Sequence, residues 1–158
     1  MKRALLWLWA RWPAWLTDRL AWVLAAKLNV GACAIIFAGP DRVLLAEHPY
    51  KPAAPWQLPG GYLHAGEEPC AGLARELREE LGLELSGARL FHVASKPRLV
   101  ILFYVVTVRG TFRPSAEVSA LRPFPRDRLP AMLPPEQHEA IALARAGDPA
   151  PEGAVGGA

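Results

Sequence analysis

Several common ingredients are scarce in this 158-residue chain. It has only two cysteines, Cys33 and Cys70, too few for a disulfide framework and without the spacing of a metal pair. Cys33 lies in a strand-like run and Cys70 on an apolar helix stripe, so both are expected as buried thiols in a reducing compartment. The four histidines, His48, His64, His92 and His138, are scattered without metal-type spacing. No apolar run reaches the roughly 20 residues of a membrane-spanning helix, because Arg11, Asp18 and Arg19 interrupt each stretch near the start. No small-residue cleavage site ends a signal-like run either, so the reading is of a segment that neither spans nor is cleaved. There is no internal repeat. With 52% hydrophobic and 21% charged residues, the balance is globular rather than disordered, and the length suits one core.

The charge is unevenly placed. Residues 1 to 30 hold Lys2, Arg3, Arg11, Arg19 and Lys27 against Asp18 alone, a local +4, so the overall +3 leaves −1 on the other 128 residues. The basic balance is therefore local and makes no case for a nucleic-acid-binding body. Five of the six tryptophans, Trp7, Trp9, Trp12, Trp15 and Trp22, share that segment. Leu5, Leu8, Trp9, Trp12, Trp15, Leu16, Leu20 and Val23 gather on one side of a helical wheel, and Pro13 divides it into two helices. Residues 1–29 thus read as an amphipathic helical segment. It would serve either as an interfacial membrane contact or as a face packed on its own domain or a second subunit.

From Gly61 to Leu83 the chain reads GYLHAGEEPCAGLARELREELGL. Pro69 suits a first helical turn, Glu67 and Glu68 the positive end of a helix dipole, and Gly82 a helix stop, which predicts a helix from about 68 to 81. Cys70, Leu73, Leu77 and Leu81 form its apolar stripe. Glu76, Glu79 and Glu80 crowd a neighbouring face, and like charges three or four apart cost a helix a few tenths of a kcal/mol per pair. A divalent cation reverses that sign, since carboxylate oxygens are the hard ligands Mg²⁺ and Mn²⁺ prefer. The alternative is a solvated acidic face partly neutralised by Arg75 and Arg78. The loop upstream argues for the cation. Leu58-Pro59-Gly60-Gly61 lets backbone pass close to a ligand, because glycine has no Cβ in the way.

Gly61, Glu67, Arg75, Glu76, Leu77, Glu79, Glu80, Gly82 and Leu83 together resemble the complete signature of the Nudix hydrolases, with looser similarity from about Val30 to Arg145. The resemblance implies an α/β fold, a Nudix-type α/β/α sandwich with a mixed β-sheet. It also implies Mg²⁺-dependent (or Mn²⁺-dependent) hydrolysis of a pyrophosphate bond in a nucleoside diphosphate linked to another moiety, in the cytoplasm or at the membrane periphery. Glu76, Glu79 and Glu80 would bind the metal with the Gly60 carbonyl, Arg75 would orient the neighbouring carboxylates, and Glu67 would tie loop to helix beside the structural glycines Gly61 and Gly82. Glu117 resembles an acidic residue that often supplies another metal ligand or the base after the long central strands; a surface carboxylate at a strand start is the alternative. Pro123 departs from the family pattern there, where an aromatic residue often precedes the phenylalanine. The base that deprotonates water would be Glu79, Glu80 or Glu117. A different class of function, a Nudix-fold nucleotide sensor without catalysis, would be expected to have lost box carboxylates, and none is missing here.

Along the rest of the chain, Val30–Phe37 and Arg42–Glu47 read as strands joined in a hairpin through Ala38-Gly39-Pro40-Asp41. A proline-rich loop over His48–Pro55 leads to a short strand, Trp56–Leu58. Leu85–Ser95 and Leu99–Val108 read as strands, the second central because it is almost wholly apolar, with Lys96-Pro97 as the turn between. Val118–Phe124 reads as a shorter strand ended by Pro123 and Pro125, and Pro135–Ala146 as a last helix anchored by Ile141 and Leu143. The domain is thus expected over 30–146, with a disordered tail over 147–158. Tyr50, Trp56 and Phe124 are candidates to stack on a substrate base, with core or loop packing as the alternative. Motifs that mark the coenzyme A and reduced-dinucleotide branches of the family are absent. Pro97 lies near the place where the ADP-ribose branch carries a proline, and an ordinary turn proline is the alternative.

Overall fold

The computed structural model describes residues 28–144, together with Pro13, Trp15 and Arg19. Most of the N-terminal segment expected over 1–29 and all of the tail expected over 147–158 therefore lie outside the described residues. Among the described residues no helix is long and apolar enough to cross a membrane.

Seven strands and two helices follow in the order β1 (Asn29–Ile36), β2 (Arg42–Glu47), β3 (Trp56–Gln57), β4 (Gly60–Tyr62), α1 (Pro69–Leu81), β5 (Glu84–Lys96), β6 (Leu99–Arg109), β7 (Ala120–Pro125) and α2 (Pro135–Leu143). One sheet runs β4-β1-β6-β5, parallel between β1 and β6 and antiparallel elsewhere; the other runs β3-β2-β7, all antiparallel. Alternation along β1 sends Ala32, Ala34 and Ile36 to a core shared with Leu73, Leu77 and Leu81 of α1. It sends Cys33 and Ile35 to a core shared with Ala140 and Ile141 of α2. β6 divides the same way, Tyr104 and Val106 against Phe103 and Val105, which explains its nearly unbroken apolar run: both faces are covered. The result is the expected α/β/α sandwich around a mixed sheet.

Three local expectations are corrected. The Ala38–Asp41 turn forms, with the Ala38 amide donating to the Arg42 carbonyl at 2.9 Å and a single bridge from Phe37 to Val43, but the hairpin goes no further. β1 pairs over eight residues with β6 and β2 over six with β7. A two-stranded hairpin would leave each strand an open edge, whereas parting gives both strands partners on two sides. Second, β7 spans Ala120–Pro125 and passes through Pro123 instead of stopping there. Arg126 donates its amide to Asp41, so even-numbered residues of this strand turn their amides toward β2. The odd positions, including both prolines, turn away, where a missing N–H breaks no ladder bond. Third, α2 ends at Leu143, which is 53% exposed. Its buried stripe is Gln137, Ala140, Ile141 and Ala144, spaced three and four apart, and Leu143 falls off it. Pro97 sits in the turn between β5 and β6, next to Arg98 with φ 65°. Both cysteines are free and half-buried.

Candidate active site

Helix α1 is set in place by its ends and by one glycine. The Glu68 side chain caps it, accepting from the amides of Cys70 and Ala71 at 3.0 and 2.7 Å, and Gly82 closes it at φ 67°. Leu73, Leu77 and Leu81 are fully buried, and of the three acids on the neighbouring face only Glu80 is buried with them. Gly72 lies mid-helix, where glycine costs about 1 kcal/mol relative to alanine. A Cβ there would collide with Leu63 and stand 2.9 Å from Glu67 Oε2, so the gap in the side-chain pattern is what lets the 60–68 loop lie on the helix. Sequence reading passed over Gly72, although a lone glycine inside a helical pattern is a signal of close approach.

Glu67 and Arg75 join loop to helix. The Arg75 Nε and Nη2 atoms donate to Glu67 Oε1 and Oε2 at 2.9 and 3.0 Å, and the His64 amide donates to Oε2 at 2.8 Å. The Arg75 hydrogen bonds, followed by that amide, hold the Glu67 carboxyl down near 2. The remaining nitrogen, Nη1, donates to Glu76 at 2.8 Å and Glu79 at 3.2 Å. One guanidinium therefore touches three carboxylates, a use of its planar fork that lysine cannot copy.

Gly60 and Gly61 bring the backbone against these acids. Gly60 stands at φ 133°, and a Cβ there would drive into the Ala32 carbonyl oxygen. Its amide donates to Glu80 Oε2 at 3.1 Å. At Gly61 a Cβ would lie 2.5 to 2.7 Å from the Glu76 carboxylate atoms, inside any allowed contact. Glu80 is 5% exposed, and its carboxyl is pushed up to about 7, first by burial and then by the charges of Glu76 and Glu117, against the pull of the Gly60 amide and Lys51.

All of this opens on a cavity of about 670 Å³, a size suited to a nucleotide-scale ligand. Its lining includes Glu76, Glu79 and Glu80 of α1, Gly60 and Gly61 of β4, Tyr50, Lys51 and Glu117 of loops, and Glu136 and Gln137 of α2. Among the described lining residues five are carboxylates and one, Lys51, is a permanent cation; Arg75 pairs with Glu76 and Glu79 and Lys96 with Glu136 from outside the lining, so carboxylates still outnumber cations at the site. Hard oxygen donors in excess around a polar cavity fit a divalent cation such as Mg²⁺. Among the described residues no three acidic, histidine or cysteine side chains already converge as a ligand set, since Arg75 engages Glu76 and Glu79. Cys33 also lines the cavity, with its thiol pushed up to about 12, chiefly by burial and then by Glu80, which leaves it unreactive.

Two stacking candidates lie elsewhere. Trp56 and Phe124 meet edge to face, 5.0 Å between ring centres, with Arg122 over the Trp56 ring at 5.6 Å, and they pack on the α2-side core. Tyr50 does line the cavity, its ring 5.3 Å from Lys51 Nζ. Sequence reading missed Lys51, Glu136 and Gln137. The Gln137 Oε1 accepts from the Leu58 amide at 2.8 Å across 79 residues, pinning the strand before the glycine pair to α2. Nothing local marks that contact, whereas Lys51 could have been noticed as the cation of the loop just ahead of the glycines.

His48, at the end of β2, is 1% exposed. Burial, then Lys51, lowers its ring to about 4 from an ordinary 6.5. The folded state thus favours the neutral ring, so its contribution is complete above about 6.5 and is lost as pH falls from there to about 4. Between pH 7.5 and 4.5, wild type is expected to lose on the order of 2 kcal/mol more stability than His48→Gln. Denaturant midpoints at the two pH values check this, and parallel losses in the two proteins would refute it.

The NUDIX domain family model matches residues 27–144. A Mycobacterium tuberculosis protein whose name provisionally makes it an 8-oxo-dGTP diphosphatase is 54% identical over 64 residues, covering 40% of this chain and 41% of that one. The NAD-capped RNA hydrolase NudC of Vibrio atlanticus is 30% identical over 109 residues, 65% of this chain and 40% of its own. This chain therefore spans about two fifths of the length of either relative. Among solved structures, the MutT NUDIX hydrolase of Burkholderia pseudomallei aligns with TM-score 0.67 and 29% identity, over 74% of this chain and 98% of that one. The family match takes in every strand and helix described above, and the chain belongs to the Nudix family.

Proposed function

We propose that the chain is a divalent-metal-dependent hydrolase that cleaves a pyrophosphate bond in a nucleoside diphosphate linked to another moiety. The observation that carries this is one cavity lined together by Glu76, Glu79, Glu80 and Glu117, with Lys51 as its cation and Gly60 and Gly61 beside the acids. Glu76, Glu79 and Glu80, with the Gly60 carbonyl, would hold Mg²⁺ or Mn²⁺. When bound, such an ion neutralises phosphate charge and makes water more acidic.

The remaining chemistry belongs to the chain itself. Arg75 orients Glu76 and Glu79, and Lys51 faces the phosphates with a point charge suited to them. We assign Glu117 as the base. Glu79 is engaged by Arg75 and Glu80 by the Gly60 amide, whereas Glu117 comes to the cavity from the loop before β7, off the helix that carries the metal-holding acids. It takes a proton from water as the water oxygen bonds to phosphorus and the bond to the leaving phosphate oxygen breaks. The names of relatives support this substrate class: 8-oxo-dGTP for a Proteus vulgaris protein 31% identical over 87 residues, and the NAD cap of RNA for the Vibrio protein.

A panel of nucleoside triphosphates, nucleotide sugars and dinucleoside polyphosphates, each with Mg²⁺ or Mn²⁺ and each with EDTA, tests the proposal. Cleavage of at least one at its pyrophosphate bond, abolished by EDTA, is expected. Binding without cleavage anywhere in the panel would make the chain a nucleotide sensor instead.

A further inference from the structure

Tyr50 is the cavity aromatic whose polar end is engaged, and its hydroxyl does not point at open space. It donates to Glu117 Oε2 at 3.3 Å, with His48 Nδ1 at 3.5 Å on its other side. The hydroxyl has one proton, and of its two partners the carboxylate is the nearer, can only accept and, being charged, is the stronger acceptor. His48 cannot move to compete, because it is 1% exposed and its amide donates to the Pro55 carbonyl at 2.7 Å. The Glu117 loop is pinned on its far side too. Ser115 Oγ accepts from the amides of Glu117 and Val118, and Ser119 donates its amide to the Glu47 carbonyl at 3.0 Å. The end of β2 and the loop before β7 thus form one hydrogen-bonded unit, and Tyr50 is its contact with the carboxylate itself.

We propose that Tyr50 is a positioning residue, held against His48, whose hydroxyl fixes one oxygen of Glu117 and so aims the other into the cavity. This rests on the assignment of Glu117 as base. It replaces base stacking as the role of Tyr50: Lys51 Nζ lies over the ring at 5.3 Å, and the ring meets His48 in a T-shaped contact at 83° with 5.7 Å between centres. The phenol is pushed above its ordinary range, by burial first and then by the charge of Glu117, as a hydroxyl that keeps its proton beside a carboxylate should be.

Four proteins decide the matter: wild type, Tyr50→Phe, Glu117→Gln and the double variant, each with Mg²⁺. Loss of a hydrogen bond to a charged group predicts that Tyr50→Phe lowers kcat about ten-fold with KM little changed. In the Glu117→Gln background the same change should cost nothing further, since a glutamine takes no proton from water however it is positioned. A full additional loss in the double variant, or a rise in KM at unchanged kcat, would show Tyr50 acting on substrate directly and would overturn the proposal. Wild-type kcat for Glu117→Gln would instead remove Glu117 as base. The positioning contact is then judged by NMR alone, which also serves if no substrate is found. In uniformly ¹³C-labelled protein, the Glu117 side-chain carboxyl signal should move in Tyr50→Phe, and a signal that stays in place overturns the contact whatever the activity.

Discussion

Glu80→Gln is expected to lose roughly a thousand-fold in kcat, because a metal-holding carboxylate supplies several kcal/mol of transition-state stabilisation and each 1.4 kcal/mol is ten-fold. The same change should leave the metal-free fold intact. Glutamine keeps an oxygen in place to accept from the Gly60 amide, and it removes a charge that the 5%-exposed site does not favour. The direction with pH follows from the carboxyl lying at about 7, above an ordinary 4.5. The folded state holds this proton more tightly than the unfolded chain, so the ionised group subtracts stability as pH rises from about 4.5 to about 7 and continues to do so above it. In EDTA at pH 8 the glutamine variant should melt no lower than wild type. Wild-type turnover would sink the metal assignment, and a clearly lower melting temperature in EDTA would make Glu80 a structural group.

Gly61→Ala is expected to separate activity from stability in another way. The added methyl would lie 2.5 to 2.7 Å from the Glu76 carboxylate, which is the far end of a flexible side chain. Such a group can swing aside cheaply, so the fold should lose no more than about 1 kcal/mol. The position vacated is the one Arg75 and the cavity define for Glu76, and a displacement of about 1 Å at a reacting centre costs on the order of a hundred-fold in rate. Gly60→Ala behaves differently. Its methyl meets the Ala32 carbonyl, which is backbone and cannot yield, at a φ that side-chain-bearing residues avoid. Comparing kcat and melting temperature across both variants checks the contrast. Unchanged turnover in Gly61→Ala would mean that Glu76 works from a different position.

How much of this was legible in the chain follows from the range of each signal. Period and punctuation are local, so α1, predicted from about 68 to 81, forms over 69–81, and β2 has the bounds expected of it. The two-sided burial of β6 was likewise written in its composition. Strand partnership was not. The turn at Ala38–Asp41 is a correct hairpin signal for four residues, and it is overridden by neighbours that arrive some 60 residues later. The box glycines and acids announced themselves because each is odd in its local setting: glycines in tandem, carboxylates stacked on one face. Trp56 and Phe124 misled for the converse reason, since an aromatic ring in a strand is compatible with core and ligand alike and only packing decides. Glu136 and Gln137 are ordinary helix residues until the fold brings α2 to the cavity.

The two prolines of β7 reach beyond the single molecule. That strand is an outer edge of the smaller sheet, and its odd-numbered backbone positions face away from β2. At Pro123 and Pro125 that outward margin has no N–H to give, so a strand from another copy arriving there would find its carbonyls unanswered at both places. Growth of polymers by strand addition is thereby blocked on this side at the level of covalent structure. The protection needs no surface charge and so should persist at any pH or ionic strength.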